Sequence, residues 1–327
     1  MIRDVTSSVI SEAVALLQEG KLVAFPTETV YGLGADARNE VAIAEVFRVK
    51  DRPATDPLIV HVANAEAALP YIDLSDAKIA ARFKKLSKLW PGPLSIIVPV
   101  GKGIVPAVTA GLNKVAIRVP SHPVARELLT AAEIPIAAPS ANQFSYVSPT
   151  KAEHVEFSLG SKIPLIIDGG SATIGLESTV IDITNEAPYL LRPGAITLSA
   201  LKEALGEEVV FLVKTFSPSE KLSSPGLLEK HYSPLTKLSL MKNYRPEITS
   251  AKIGLIRFST DTELPSCPIE TVVTLSHDSN LEEIGAKLYE AIRELDQLGL
   301  DSILIDSCSD EGLGQAIMDR VNRAVHK

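Results

Sequence analysis

Residues 21–50 have the sequence KLVAFPTETVYGLGADARNEVAIAEVFRVK, and the fold class follows from how this stretch changes along its length. It opens with a short apolar run that predicts a strand, continues through a segment rich in glycine and threonine that predicts turns, and closes with helical apolar spacing. The helix has to end before Asp51-Arg52-Pro53, because proline disfavours a helical backbone at the preceding residue. The stretch therefore predicts a strand, a loop and a helix with Lys50 at its C-terminus.

The same alternation continues on both sides of this stretch. A helix is predicted upstream from Ser8 to Gly20, where glycine ends the apolar spacing. Downstream, strands are predicted at residues 57–62, 94–100, 115–120, 134–142, 162–170 and 178–183, and helices at residues 76–89, 123–132 and 196–206. Strands that alternate with helices predict an α/β domain with a parallel or mixed sheet, ending near residue 206.

A second, smaller domain is predicted after a linker. Residues 215–236 contain three prolines and five serines, which is the composition of a linker. Beyond it, strands are predicted at residues 251–259, 270–276 and 301–307, and helices at residues 281–299 and 312–327. This order is typical of a small doubly wound, Rossmann-like α/β unit. We therefore expect a first domain of residues 1–206, a linker or lid of residues 207–236 and a second domain of residues 237–327.

Composition excludes several classes of protein. A net charge of −8 argues against a protein that coats nucleic acid, so we expect no strong direct nucleic-acid binding. The two cysteines, Cys267 and Cys308, are too few for a disulfide framework or a four-ligand zinc site, and a reducing cytoplasm fits best. The apolar runs fall far short of the roughly 20 residues that span a bilayer, so no membrane segment is expected.

The loop at residues 26–34 carries polar groups where a strand is predicted to end. The hydroxyls of Thr27, Thr29 and Tyr31, with Gly32 and Gly34 freeing the backbone, are able to form a cradle for a polar ligand. A surface turn punctuated by glycine explains the same residues. The segment lacks the third glycine of a dinucleotide fingerprint.

The next loop carries Lys50 and Arg52, stiffened by Pro53 and Pro57. Two cations on a stiff loop suit a polyphosphate, because little conformational entropy remains to be lost on binding. A solvated surface pair is the alternative. His61 interrupts an apolar strand, and it is either a ligand-binding residue or a satisfied core histidine.

Two further groups of residues point to an anion. Ser140, Asn142 and Ser148 follow a buried strand and are able to donate to phosphate oxygens, although a helix cap explains them equally well. Arg118 and Arg192 each place a guanidinium in an apolar strand, and each needs an anionic partner, from a ligand or from a carboxylate. Because the sequence has no Walker A motif, any ATP would be bound without a P-loop.

Taken in order, these segments resemble the YrdC-like domain of the two-domain threonylcarbamoyl-AMP synthases. The resemblance rests on FPTETVYGLGADA (25–37), KDRP (50–53), PLIVHV (57–62), WPGPLS (90–95), VAIRVPSHP (115–123), PIAAPSAN (135–142), SPTKAEHV (148–155), IIDGG (166–170), ESTV (177–180) and LLRPGAI (190–196). Residues 224–234 are similar to the linker motif of that family, and residues 311–320 to the end of its second domain. The resemblance implies a YrdC-like domain with a twisted mixed sheet and a concave pocket.

The family resemblance also implies a reaction. L-Threonine, bicarbonate and ATP would give L-threonylcarbamoyl-AMP, pyrophosphate and water, the first step of N6-threonylcarbamoyladenosine formation in tRNA, by a nucleotidyltransferase. Mg²⁺ would arrive with ATP, with no metal ligand assigned in the chain, and a tRNA threonylcarbamoyltransferase would act downstream. An RNA-binding accessory protein and a Rossmann oxidoreductase remain as alternatives.

Carried over position by position, the resemblance implies roles for individual residues. Lys50 and Arg52 would be the catalytic residues. The implied ATP-binding residues are Lys50, Arg52, Lys114, Ser140, Asn142, Ser148, Arg192, His231 and Tyr232, and the implied threonine-binding residues are Thr27, His61, Arg118, Ala138 and Ser178. His231 and Tyr232 would fold back over the nucleotide.

Some positions depart from the family pattern or stay open. Asp51 stands where a glycine is often found, so the backbone of that loop could differ. For a general base, the sequence offers only Glu28 and His61, by their proximity to the motifs.

Overall fold

The computed structural model describes residues 1–212, 232–244 and 251–325. Its helices are α1 (Ser7–Gln18), α2 (Glu40–Lys50), α3 (Ala65–Ala68), α4 (Ala77–Leu86), α5 (Pro123–Ala132), α6 (Ala152–Leu159), α7 (Leu198–Leu205), α8 (Leu281–Asp296) and α9 (Leu313–Val325). Its strands are β1 (Ile2–Asp4), β2 (Val23–Phe25), β3 (Gly32–Asp36), β4 (Ile59–His61), β5 (Leu94–Pro99), β6 (Lys114–Arg118), β7 (Ile136–Ala137), β8 (Leu165–Asp168), β9 (Thr179–Asp182), β10 (Tyr189–Arg192), β11 (Val210–Phe211), β12 (Lys237–Leu240), β13 (Ile253–Arg257), β14 (Thr271–Thr274) and β15 (Ser302–Ile305).

Helix α2 shows how the sequence sets the start of the loop that carries Arg52. Asn39 caps the helix, because its side-chain oxygen accepts from the backbone N–H groups of Val41 and Ala42. The helix ends at Lys50, as predicted, and Asp51 takes the left-handed conformation with φ of 55°. Aspartate tolerates that conformation better than most residues. Asp51 therefore serves as the C-terminal cap in place of the glycine that the family often has.

Among the described residues, the first domain contains one eleven-stranded mixed sheet, in the order β1-β8-β2-β3-β7-β4-β6-β5-β9-β10-β11. Successive residues of β8 point to opposite faces. Ile166 joins the core under α2, α4 and α7, and Leu165 and Ile167 join the core under α1 and α5. The sheet continues past Gly206, because β11 pairs with β10.

Strand β3 lies where turns were predicted, and that prediction was wrong. The strand is central and fully buried, between β2 and β7. A side chain at Gly34 would lie 2.8 Å from the ring of Phe25 and 2.9 Å from Ile136, so glycine is required there by packing. Strands β1, β11 and β12 also have no counterpart in the predicted elements.

The second domain has a four-stranded parallel sheet in the order β12-β15-β13-β14, within the ranges that the structure describes. Helices α8 and α9 pack on one face, and a smaller cluster around Leu255 and Leu304 lies on the other. Val30, Val147 and Leu176 of the first domain belong to the same core as α8 and α9. The expected two-domain α/β fold is confirmed, and the two domains share a continuous apolar interface.

Candidate ligand pocket

A pocket lies in the first domain where several strands of the large sheet begin or end. It contains most of the residues singled out in the sequence. The predicted site residues that line it are Thr27, Arg52, His61, Arg118, Ala138, Ser140, Ser178, Arg192 and Tyr232. These positions span more than 200 residues of sequence, and the sheet order brings them together.

Three predicted residues lie behind the wall of this pocket. The ammonium of Lys50 is buried, and it donates to the backbone carbonyl of Ser140 at 2.5 Å and to that of Asn142. The Asn142 amide donates to the carbonyl of Tyr146 at 2.8 Å. Ser148 donates to the Glu177 carboxylate at 2.6 Å. These residues shape the loops that line the pocket.

One other predicted site residue is not among the residues that line the pocket. Lys114, at the opposite end of β6 from Arg118, forms an ion pair with Asp182 at 2.6 Å and is not a lining residue. Its contact with ATP stays a prediction. His231 and most of the predicted lid lie outside the described residues.

Arg118 anchors one side of the pocket. Its guanidinium donates to Glu28 at 2.6 Å and to the Thr29 hydroxyl at 2.9 Å. Burial alone would raise the pKa of Glu28, but the Arg118 guanidinium outweighs burial and holds that pKa below its usual range. The Thr27 hydroxyl donates to the carbonyl of Val30 at 2.6 Å, which closes the loop on itself. This side of the pocket therefore holds an ion pair inside a rigid turn.

His61 is fully enclosed in the same region. Burial, followed by the charge of Arg118, lowers the pKa of His61 to about 3. The ring packs edge-on against Phe25, with 6.2 Å between ring centroids. His61 is therefore neutral at physiological pH, and neither it nor the ion-paired Glu28 is a strong base there.

A cluster of buried cations forms another part of the wall. Arg52 pairs with Asp56 at 2.9 Å and donates to the carbonyl of Pro57 at 3.0 Å. Burial raises the pKa of Asp56, and Arg52, Lys50 and Arg192 all act against that rise. Burial, followed by the charge of Arg52, lowers the pKa of Lys50 well below its usual range. Arg52 and Arg192 are therefore buried cations beside one buried carboxylate. Such an excess of positive charge favours an anionic ligand.

Glu177, for which the sequence predicted no role, also lines the pocket. Its carboxylate accepts from Ser148 and, in the second domain, from the Tyr289 hydroxyl at 3.0 Å and from Arg320 at 2.7 Å. Burial would raise the pKa of Glu177, but Arg320 and then Arg192 lower it to about 2. Glu177 lies in the ESTV motif and Arg320 at the end of residues 311–320, but no signal in the sequence joins positions so far apart.

Tyr232, predicted to close over the nucleotide, is buried at the edge of the pocket. Its ring stacks on Tyr289 with 5.7 Å between centroids, and the Arg320 guanidinium lies 5.5 Å from the ring centre. The backbone N–H of the next residue, Ser233, donates to the carbonyl of Ser145 at 2.9 Å. Tyr232 is therefore held by residues of both domains.

The neutral state of His61 gives a testable pH dependence. An unfolded histidine takes up a proton near pH 6.5, whereas folded His61 does not until about pH 3. Stability is therefore highest above pH 6.5 and falls on acidification, with His61 contributing a slope of about 1.4 kcal/mol per pH unit. In urea unfolding at a series of pH values, His61→Gln should reduce this slope between about pH 5 and 6.5. If the free energy of unfolding depended on pH equally in variant and parent over that range, His61 would not be neutral in the folded state. Above about pH 7.5 the two slopes should be equal, which is the internal control.

Within the described part of the chain, none of the helices has both the length and the apolar character needed to cross a membrane.

Comparison with known proteins places this pocket in a family. Residues 15–194 match the family model described as "Telomere recombination", and residues 196–325 match "Threonylcarbamoyl-AMP synthase, C-terminal domain". The threonylcarbamoyl-AMP synthase of Pyrococcus abyssi is 37% identical over 95% of this chain and 92% of its own length. The enzyme of Bacillus subtilis is 38% identical over 96% of this chain and 92% of its own length.

A solved structure agrees with these matches. The crystal structure of P. abyssi Sua5 complexed with L-threonine superposes with a TM-score of 0.88 at 35% identity, and the match covers 99% of this chain and 97% of the other. Both domains are included at that coverage. The chain, with its pocket of buried arginines and its second domain, belongs to the threonylcarbamoyl-AMP synthase family.

Proposed function

We propose that the chain forms L-threonylcarbamoyl-AMP, pyrophosphate and water from L-threonine, bicarbonate and ATP, and is therefore a nucleotidyltransferase. The product is the activated intermediate for N6-threonylcarbamoyladenosine formation in tRNA. One observation supports this proposal above all: a single pocket has two different sides. One side is lined by the buried arginines Arg52 and Arg192, and the other by threonine hydroxyls and by Arg118, which pairs with Glu28. The relative with L-threonine bound supports an amino-acid substrate.

The triphosphate would lie against the cationic wall. Lys50 holds the loop behind this wall by donating to the backbone carbonyls of Ser140 and Asn142. Arg52 and Arg192 line the pocket as buried cations. Such preorganised cations stabilise the charge that develops on a phosphoryl group. The described residues contain no group of three or more His, Cys, Asp or Glu side chains placed to hold a metal ion. We therefore propose that Mg²⁺ enters with ATP and keeps most of its water.

L-Threonine would occupy the side of the pocket with Arg118. Arg118 is the cation on that side for the substrate carboxylate, and Thr27, Ala138 and Ser178 line the pocket beside it. Neutral His61 adds no charge there. A site with one ion-paired arginine and small side chains suits an amino acid with a short β-branched side chain.

The reaction would proceed in two steps. In the first, the threonine nitrogen bonds to the carbon of bicarbonate, and an oxygen of bicarbonate leaves as water, taking one proton from the amine. In the second, a carbamate oxygen bonds to the α-phosphorus of ATP as the bond to the β-phosphate oxygen breaks, and pyrophosphate leaves. Because Glu28 and His61 are weak bases at neutral pH, the chain mainly positions the reactants and neutralises charge.

We expect pyrophosphate release to require all three substrates together. The attacking oxygen exists only after the carbamate has formed, so omitting either threonine or bicarbonate should reduce the rate to background. The measurement is a coupled pyrophosphate assay in buffer freed of CO₂, with and without added bicarbonate. An undiminished rate without bicarbonate would contradict the mechanism, and RNA binding without any pyrophosphate release would favour the accessory-protein alternative.

The setting of this reaction is part of the proposal. Cys267 and Cys308 are both free thiols in the structure, which is compatible with the reducing cytoplasm where ATP and tRNA occur. Because an acyl adenylate is labile to water, we propose that the product passes to a tRNA threonylcarbamoyltransferase.

A further inference from the structure

A buried arginine of the second domain contacts Glu177, which lines the pocket. Arg320, on α9, is fully buried, and its guanidinium donates to the Glu177 carboxylate at 2.7 Å and to the Pro193 carbonyl at 3.0 Å. It also pairs with the adjacent Asp319 at 2.6 Å. A buried guanidinium with an acceptor at each of its three nitrogens is held in one orientation. Arg320 is therefore a fixed part of the junction between the domains.

Arg320 contacts the sequence neighbours of two pocket residues, Ser178 and Arg192. Glu177 immediately precedes Ser178, and Pro193 immediately follows Arg192. Arg192 in turn donates to the Ser178 carbonyl at 3.0 Å and to its hydroxyl at 3.1 Å. Arg320 thus ties together the two loops that present Ser178 and Arg192 to the pocket.

The docking of the second domain leaves little room for this arrangement to shift. A side chain at Gly175 would lie 2.5 Å from the carbonyl oxygen of Gly285 in α8, so the two backbones touch. Leu176 is buried in the core of the second domain. Tyr289, also on α8, adds a second donor to Glu177 at 3.0 Å. The position of Glu177 is therefore set by α8 and α9 together.

Arg320 also compensates the charge of the Glu177 carboxylate. The Glu177 carboxylate faces two arginines, Arg320 and Arg192, and two tyrosines, Tyr232 and Tyr289. Without Arg320, Arg192 would be the remaining cation for the buried carboxylate. A new Glu177–Arg192 pair would neutralise a charge that the phosphates need.

We propose that Arg320 is a positioning residue for nucleotide binding: it holds the loops of Ser178 and Arg192 in place and keeps the Glu177 carboxylate from neutralising Arg192. The second domain is, by this inference, a structural part of the ATP site. The inference rests on the proposed function, because it takes the anion at Arg192 to be the triphosphate of ATP.

Equilibrium binding of a nonhydrolysable ATP analogue with Mg²⁺ tests this inference separately from turnover. In the full chain, Arg320→Ala should weaken binding at least tenfold, and adding Glu177→Gln should recover most of that loss, because the neutral amide cannot neutralise Arg192. Arg323→Ala is the matched control: Arg323 lies one turn further along α9 and pairs with Asp319 at 3.0 Å. The control should bind the analogue within about twofold of the parent.

The recovery in the Glu177→Gln double variant separates this role from a merely structural one, because the amide restores none of the contacts that Arg320 made. Tyr289→Phe removes one donor to Glu177 and keeps the ring, and it should weaken binding about threefold. This variant tests the inference if Arg320→Ala does not fold. Parent-like affinity in Arg320→Ala, or in Tyr289→Phe, would overturn the inference, as would a defect that Glu177→Gln leaves unchanged. A parent chain that fails to bind the analogue would instead overturn the proposed function.

Discussion

Replacing Arg52 by alanine is expected to lower kcat/KM for ATP on the order of 10²-fold or more, the loss found when one preorganised charge donor is removed from an active site. Arg52 lines the pocket, and its guanidinium is fixed by Asp56 and by the carbonyl of Pro57. The measurement is pyrophosphate release over a range of ATP concentrations. The loss should fall on ATP more than on threonine, because Arg118 remains for the amino acid.

Two further variants separate lost charge from lost structure. Arg52→Ala alone leaves Asp56 buried without its closest cation, which would destabilise the fold. In Arg52→Ala/Asp56→Asn the orphaned charge is gone, so the chain should regain stability while activity stays low. Arg38→Ala removes a half-exposed arginine that pairs with Asp36 away from the pocket, and it should keep full activity. Recovery of activity in the double variant would return Arg52 to a structural role.

Replacing Gly194 by alanine is expected to reduce both stability and activity. The new methyl group would press on the backbone nitrogen of Thr179 and lie 2.7 Å from its hydroxyl and 2.9 Å from the carbonyl carbon of Ser178. These are mostly backbone atoms and cannot rotate away, so the loops of Ser178 and Arg192 would be forced apart. We expect a loss of about 1–3 kcal/mol in the free energy of unfolding. Activity should fall by about 10²-fold, as when catalytic groups are misplaced by about 1 Å.

Gly285→Ala is the matched control for this experiment. Gly285 lies in α8 at the junction of the domains, but a methyl group there would approach no atom closer than 3.4 Å. Alanine also favours the helix over glycine by about 1 kcal/mol. Urea unfolding should therefore show unchanged or higher stability, with normal pyrophosphate release. Parent-like stability and activity in Gly194→Ala would show that the two loops are able to separate without cost.

Elements with strong local signals were predictable from the sequence. Helix α2 ends at Lys50 as predicted, because Pro53 acts on the backbone just before it and Asp51 tolerates the left-handed conformation. Most predicted site residues lie in one pocket. Predicting them required the family resemblance, because each motif alone was also explained by a surface turn, a helix cap or a solvated surface pair. The assigned roles of those residues stay predictions.

The rest depended on contacts between distant parts of the chain. Strand β3 was mistaken for turns because glycine has a low strand propensity, whereas here Gly34 is required by the ring of Phe25. Glu177 was passed over because its partners Tyr289 and Arg320 lie in the other domain. A sequence pattern shows which residues a helix buries. It does not show which carboxylate of another domain those residues contact.

The contact between Arg320 and Glu177 also imposes an order on the synthesis of the protein. Arg320 follows Glu177 by 143 residues. At about 5–20 residues per second on the ribosome, roughly 7–29 s separate the two. During that interval the first domain is free to fold, but its Glu177 carboxylate lacks Arg320 and has only Arg192 as a cation. In a nascent chain the loops of Ser178 and Arg192 therefore lack the contacts with Arg320, and these contacts form only after α9 has been translated.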